Sequence, residues 1–341
     1  MDNQRTIDIV STLKCILCFG VVCIHSTFNN DSIGVDDGDI SLFSDFSSIF
    51  IYGFLDKTCV LVFFVISGYL FFYNASNFDT EVYKRKIKTR IRSLLVPYVI
   101  ANGLYIIANL IIWRHEDVTV SWFVNSWVGL NGYPADPPLW YIRDLIVLVL
   151  FSYLFYRVIL KFRLFVPLLL LVVWIAIPLL VDANISIFRG LVFFLLGAYM
   201  SIMKYDLLSY MRINSYSWFY ILLYVLVFVA GLAIEYEPLS RLSAVLGILF
   251  WFSLAYKFCS KMQIRCSQQI LAGSVFIYLY HYYIAIFVPR YMMLTWGVSP
   301  VMAFVYYGLG AALTVVGMLG VFLLIKKYCR NLTSVIVGYR L

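Results

Sequence analysis

The sequence predicts an all-α integral membrane protein with about ten transmembrane helices and both termini in the cytoplasm. Three observations carry this expectation. Of the 341 residues, 63% are hydrophobic and only 13% charged. That is too little polar surface for a soluble chain of this size, so most of its outer face must meet lipid. The apolar residues gather into ten stretches, and the basic residues fall in alternate connections between them. For a chain of this composition the formal net charge of +8 does not point to nucleic acid as a partner. Cys15, Cys18, Cys23 and Cys59 lie in apolar runs, and Cys259, Cys266 and Cys329 lie among Lys and Arg. Seven cysteines so spaced suggest neither a disulfide framework nor a metal site. All are expected to be packing thiols, with no metal bound.

The expected spans are residues 7–27, 55–73, 93–113, 139–156, 164–181, 186–203, 217–234, 242–256, 268–288 and 298–325. A crossing helix needs roughly 20 apolar residues and about 17 suffice; only 242–256 falls clearly short. The first stretch carries Lys14 and His25 and is followed by Thr27, Phe28, Asn29 and Asn30 rather than a small-residue cleavage site. It is therefore read as a retained helix and not a signal peptide. With the N-terminus inside, the inner connections hold 19 bases and the outer ones only four, Lys57, Arg114, Arg241 and Arg290, while 12 of the 18 acids lie outside. No internal repeat or linker is visible, so residues 1–341 are expected to form a single membrane-embedded domain. The two longest connections, 28–54 and 114–138, both face outward. The second contains Trp122, Trp127, Tyr133 and the turn-rich run Pro134 to Pro138, which suits either a headgroup anchor or a stacking platform for a sugar.

An ionisable group at the centre of a span costs about 2.5–3.5 kcal/mol, so such residues need partners or a task. His25, Arg143, Asp144, Arg189 and His281 come from four helices yet share an outer depth, which suggests one polar pocket open to the outside. Each has a plainer reading. Arg143 and Asp144 could neutralise each other, Arg189 could reach the headgroups, and His281 could be a core histidine satisfied by the backbone. Lys14 and His25 are eleven residues apart, within about 20° of one helix face and about 16 Å along its axis. They would line one groove, with imidazole suited to take a hydroxyl proton near neutral pH; alternatively Lys14 simply reaches the inner headgroups. The basic run from Lys84 to Arg92 places six cations in nine residues. It sets topology and attracts anionic lipid, yet Lys84, Lys88 and Arg92, or Arg85, Lys86 and Arg90, recur near helical spacing and could clamp phosphates.

These residues resemble the acyltransferase 3 family of multi-spanning membrane O-acyltransferases over essentially the whole chain. Lys14 and His25 keep the family's spacing of a basic residue, usually arginine, to a histidine, with Lys in place of Arg. Phe63-Phe64-Val65-Ile66-Ser67-Gly68-Tyr69-Leu70 matches the signature that ends the second helix. The basic loop running into Leu94-Leu95-Val96-Pro97-Tyr98, the stretch Pro138 to Leu145, Phe188-Arg189 before Phe193 to Gly197, and Ile277 to His281 follow in order. The resemblance implies transfer of an acyl group, most often acetyl, from cytoplasmic acyl-CoA to a hydroxyl of a glycan or glycolipid outside a bacterial inner membrane. By that implication His25 is the general base. Lys14, Lys84, Arg85, Lys88, Arg90 and Arg92 hold the CoA, and Arg143 or Arg189 supports the oxyanion or orients an anionic acceptor. Asp144 orients a histidine or balances Arg143, and His281 completes the site. Ser67 and Gly68 are read as close helix packing. Acyl-CoA is a co-substrate, and no permanently bound cofactor is expected. The expected partners are acyl-CoA, the acceptor and membrane lipids, with room for a homo-oligomer.

Two other classes compete. A polysaccharide or lipid transporter would also place polar residues in an outer pocket, but its usual paired, broken helices are not visible in the sequence. An assembly partner for a glycan synthase would have no chemistry of its own.

Overall fold

The computed structural model describes residues 2–28, 37–73, 78–112, 118–130, 132–179, 186–205, 217–261 and 266–338. Among them there is no strand. The helices are α1 (Asp2–His25), α2 (Ile40–Phe72), α3 (Thr80–Ile111), α4 (Val120–Val128), α5 (Trp140–Leu150), α6 (Ser152–Phe162), α7 (Phe165–Ala176), α8 (Ser186–Ile202), α9 (Ser217–Ile234), α10 (Glu237–Lys261), α11 (Gln268–Tyr280), α12 (Tyr282–Trp296), α13 (Pro300–Tyr328) and α14 (Arg330–Ile336). Their starts follow from local chemistry. Thr119, Ser267 and Ser299 each turn a hydroxyl oxygen onto the backbone N–H three residues on, and Pro300 takes the first helical position, where no N–H is needed.

Among the described residues five helices are long and apolar enough to cross a membrane alone, and the number rises to seven if each of two bent pairs is one span. The chain is an integral membrane protein. The stretches predicted at 164–181, 186–203 and 217–234 contain the shorter apolar helices α7, α8 and α9. Two predicted spans are broken. The one at 139–156 bends by 65° between α5 and α6, and the one at 268–288 bends by 74° between α11 and α12. Two boundaries also move. Residues 40–54, expected in a connection, extend α2, because Ile40 and Phe43 bury against Phe28, Met293 and Tyr306. The basic run, expected as a loop, forms the first turns of α3. Arg290, expected in an outer connection, lies inside α12.

The residues group into two compact units that interleave in sequence. One holds residues 1–17, 54–88 and 147–266, and the other holds 18–53, 89–146 and 267–341. In the first unit α2 and α8 meet backbone to backbone. A Cβ on Gly68 would overlap the Phe194 carbonyl, and one on Gly197 would overlap the Val65 carbonyl, so small residues permit the approach. The expected packing role of Gly68 is what the structure shows. Trp251 donates its indole N–H to Thr58 at 2.8 Å, and the Arg241 guanidinium lies 5.2 Å over the Trp174 ring while donating to the Trp174 carbonyl. The first unit also corrects the reading of all seven cysteines as packing thiols. Cys15 and Cys266, 251 residues apart, form a disulfide, and the Cys266 backbone N–H donates to Thr12 on the same helix as Cys15. Cys18, Cys23 and Cys59 are buried and outside this disulfide, as expected of packing thiols. In the second unit Phe28, Ile40, Phe43, Met292, Met293, Ala303 and Tyr306 form one apolar cluster. Gly310 leaves room for the Pro289 ring inside α12.

Candidate active site

The bend between α11 and α12 falls at His281. His281 is fully buried, and its Nδ1 lies 3.0 Å from the Ile277 carbonyl and 3.1 Å from that of Tyr278. Carbonyl oxygens only accept, so these contacts assign the ring proton to Nδ1 and leave a lone pair on Nε2. That Nε2 is buried and has no partner among the described residues. The backbone contact is the plainer role foreseen for a core histidine. The bare nitrogen is not explained by it, because a buried polar atom without a partner is costly.

His25 ends α1, is half-buried, and its ring centroid lies 5.3 Å from that of His281 and 5.3 Å from that of Tyr282. Two histidines separated by 256 positions thus form one pair of imidazoles with an aromatic wall. Tyr278 stands one turn before His281, with ring centroids 6.3 Å apart, and donates its hydroxyl to the Pro138 carbonyl at 2.6 Å. This bond ties the imidazole pair to the turn that begins α5. Cys18, two turns before His25 on α1, donates its thiol to the Ser274 carbonyl on α11.

At that turn Arg143 and Asp144 pair, Nε to Oδ1, at 2.8 Å. The Arg143 guanidinium also donates to the carbonyls of Gly129 at 2.7 Å and Val128 at 3.2 Å. Gly129 sits at φ 61°, and a Cβ there would strike Arg143 and Pro134, so the loop closes over the guanidinium only with glycine. Arg143 therefore anchors the end of α4, and mutual neutralisation with Asp144, the plainer alternative, describes their contact. The second oxygen of Asp144 is buried and unpartnered.

Asp136, in the run from Pro134 to Pro138, was passed over as part of a turn. It is 1% exposed, and neither carboxyl oxygen has a partner among the described residues. Its backbone is fixed, since its N–H donates to the Asn102 side-chain oxygen at 3.0 Å while the Asn102 amide donates to the Ser126 carbonyl. Burial holds the carboxyl well above the usual carboxylate range. An acid between prolines reads as a turn, and nothing local in the sequence signals that a distant asparagine draws it inside.

The other candidates lie apart in sequence and unit. Lys14, Lys84, Arg85, Lys88 and Arg189 belong to the first unit; His25, Arg90, Arg92, Arg143, Asp144 and His281 belong to the second. Lys84, Arg85, Lys88 and Arg92 are exposed, with Lys84 3.3 Å from Glu81. Lys86 donates to the Phe71 carbonyl. Arg90 is within electrostatic reach of Tyr141, and Arg189, near the start of α8, is within reach of Asp56. Lys14 is half-buried on α1 beside Cys15. Of the aromatics in the connection 114–138, Tyr133 is 63% exposed, while the Trp127 carbonyl accepts from the Tyr98 hydroxyl.

A family model described as an acyltransferase domain matches residues 7–323. The chain belongs to the acyltransferase 3 family. Acyl transfer is thereby its reaction class, and the match takes in both imidazoles, the Arg143–Asp144 pair and Asp136. No curated protein and no solved structure matches the chain. Within the acyltransferase domain the structure brings together His25 and His281, and separately Arg143 and Asp144.

Proposed function

We propose that this acyltransferase moves an acetyl group from cytoplasmic acyl-CoA to a hydroxyl of a glycan or glycolipid outside a bacterial inner membrane, with His25 as general base. The observation that carries the reading is the imidazole pair in a chain whose reaction class is acyl transfer. His25 is partly accessible, and the ring beside it holds a fixed tautomer with a bare Nε2.

In the proposed step an imidazole nitrogen of His25 takes the proton of the acceptor hydroxyl as its oxygen attacks the thioester carbonyl. A C–O bond forms, the C–S bond breaks, and the CoA thiolate leaves and takes up the proton from the imidazolium. The His281 ring lies 5.3 Å away, centroid to centroid. The oxyanion requires a cation or donor, assigned to Arg143 or Arg189; the CoA phosphates are assigned to Lys84, Arg85, Lys88, Arg90 and Arg92, and the pantetheine arm to Lys14. Asp144 holds Arg143 in place. Because Lys is a point charge where the family usually carries the planar fork of Arg, Lys14 suits a single carbonyl or phosphate contact.

Mass spectrometry of surface glycans from cells with and without the protein tests the reading. An acyl increment lost with the protein and restored by re-expression is expected. Unchanged glycans and glycolipids together with no acetyl-CoA consumption by the purified chain would refute it.

A further inference from the structure

The second unit contains buried polar atoms of one kind gathered around Tyr278. Both carboxyl oxygens of Asp136, one of Asp144 and the Nε2 of His281 have no partner among the described residues. Tyr278 lies within electrostatic reach of Asp136 and Asp144, and its ring is beside that of His281. Each of these orphaned atoms can accept a hydrogen bond. Several nearby donors are directed elsewhere: the hydroxyls of Tyr98, Tyr278 and Tyr280 point to the carbonyls of Trp127, Pro138 and Ile336, and Arg143 serves Asp144 and the loop carbonyls. A fold does not leave several buried acceptors empty without cost, and what satisfies them must arrive with donors.

We infer that Asp136 is the anchor of a subsite for the hydroxyl-bearing edge of a sugar ring, so that it sets which acceptor is used. This deepens the proposed glycan acceptor and rests on that reading. Aromatic faces suit the C–H side of such a ring. Tyr105 stacks on Tyr283 at 4.7 Å and Tyr141 meets Tyr278 edge to face at 6.0 Å, and Asp136 is within electrostatic reach of Tyr98, Tyr105, Tyr278, Tyr280 and Tyr282. Neighbouring hydroxyls of a sugar donate in pairs, and a carboxyl with two open oxygens receives such a pair. Burial favours the protonated form of this carboxyl, and in that form it also donates one bond in return, which a hydroxyl accepts and an ammonium does not. At 1% exposure the carboxyl is reached only when neighbouring side chains part.

The test is binding to the full-length chain in lipid nanodiscs, read by saturation-transfer NMR. The probes are the methyl glycosides of glucose, galactose, mannose and N-acetylglucosamine, with cyclohexylmethanol and choline as comparisons. At least one glycoside should saturate, more tightly than either comparison, and Asp136→Asn should weaken it about tenfold or more. A thermal melt checks that the variant is folded, and Asp136→Ser replaces it if it is not. Failure of all four glycosides to saturate, equal binding by the folded variant, or tighter binding of choline would overturn the inference. Acetyl-CoA turnover separates the two readings. Asp136-dependent glycoside binding without any acetyl transfer keeps this subsite and sinks the transferase mechanism. Transfer with a KM for the glycoside unchanged by Asp136→Asn does the reverse.

Discussion

At Phe151 the chain bends by 65° and at His281 by 74°, and neither break is at a proline. A broken helix exposes carbonyls that must find donors. At the first break the Leu150 carbonyl receives the hydroxyl of Tyr83 at 2.7 Å, and Phe151 is 55% exposed. At the second, the break residue supplies its own donor, Nδ1 of His281, to the carbonyls of Ile277 and Tyr278, and it is fully buried. A phenol spends its one proton at an exposed position. An imidazole spends one nitrogen and presents the other, tautomer fixed, inside the protein. The same backbone problem is solved structurally at one break and, in the proposed mechanism, chemically at the other.

Two substitutions at His281 break this comparison most sharply. His281→Ala should lower acetyl transfer about a hundredfold or more, the lower range for a positioned proton-transfer group. His281→Asn keeps a side-chain donor that can return to the carbonyl four residues back but has no equivalent of Nε2. If His281 only closes the helix break, Asn restores transfer; the present account expects it to restore thermal stability and not kcat.

Asp136 gives a pH-dependent test. Its folded carboxyl titrates above the unfolded value of about 3.9. Below that value both states hold the proton and the contribution is fully present. As pH rises toward the raised folded pKa, the unfolded chain releases a proton that the folded chain retains, so stability is lost through that window. The wild-type melting temperature should therefore fall more between pH 5 and pH 8 than that of Asp136→Asn, which has no such group. Parallel curves would show that Asp136 is not held neutral.

The smallest effect belongs to the other break. Tyr83→Phe removes one partly exposed hydrogen bond and should cost about 0.5–1.5 kcal/mol, seen as a small drop in melting temperature. Transfer by that variant should stay within a factor of two. A loss comparable to that of His281→Ala would erase the distinction between the two bends.

Much of this site was legible in the sequence. His25 and His281 stand out in the sequence as intramembrane polar residues that need partners or a task, and the structure sets their rings 5.3 Å apart. Ser67-Gly68 was read as helix packing, and Gly68 lies against the Phe194 carbonyl. The bend at His281 was not legible, because helix breaks announce themselves through Pro or Gly and this one falls at a histidine. Nor was the Cys15–Cys266 disulfide, since pairing across 251 residues leaves no spacing signal. Asp136 was hidden by its setting, where flanking prolines speak for a turn and only the tertiary bond from its N–H to Asn102 explains its burial.

The central claim is that the imidazole of His25 performs the proton transfer. Purified full-length chain and its His25→Ala variant, compared in nanodiscs for acetyl-CoA binding and for acetyl transfer to the acceptor identified by glycan mass spectrometry, test it most directly. The account predicts transfer reduced at least about a hundredfold with acetyl-CoA affinity within a factor of two or three of wild type. Transfer by His25→Ala at the wild-type rate would contradict it.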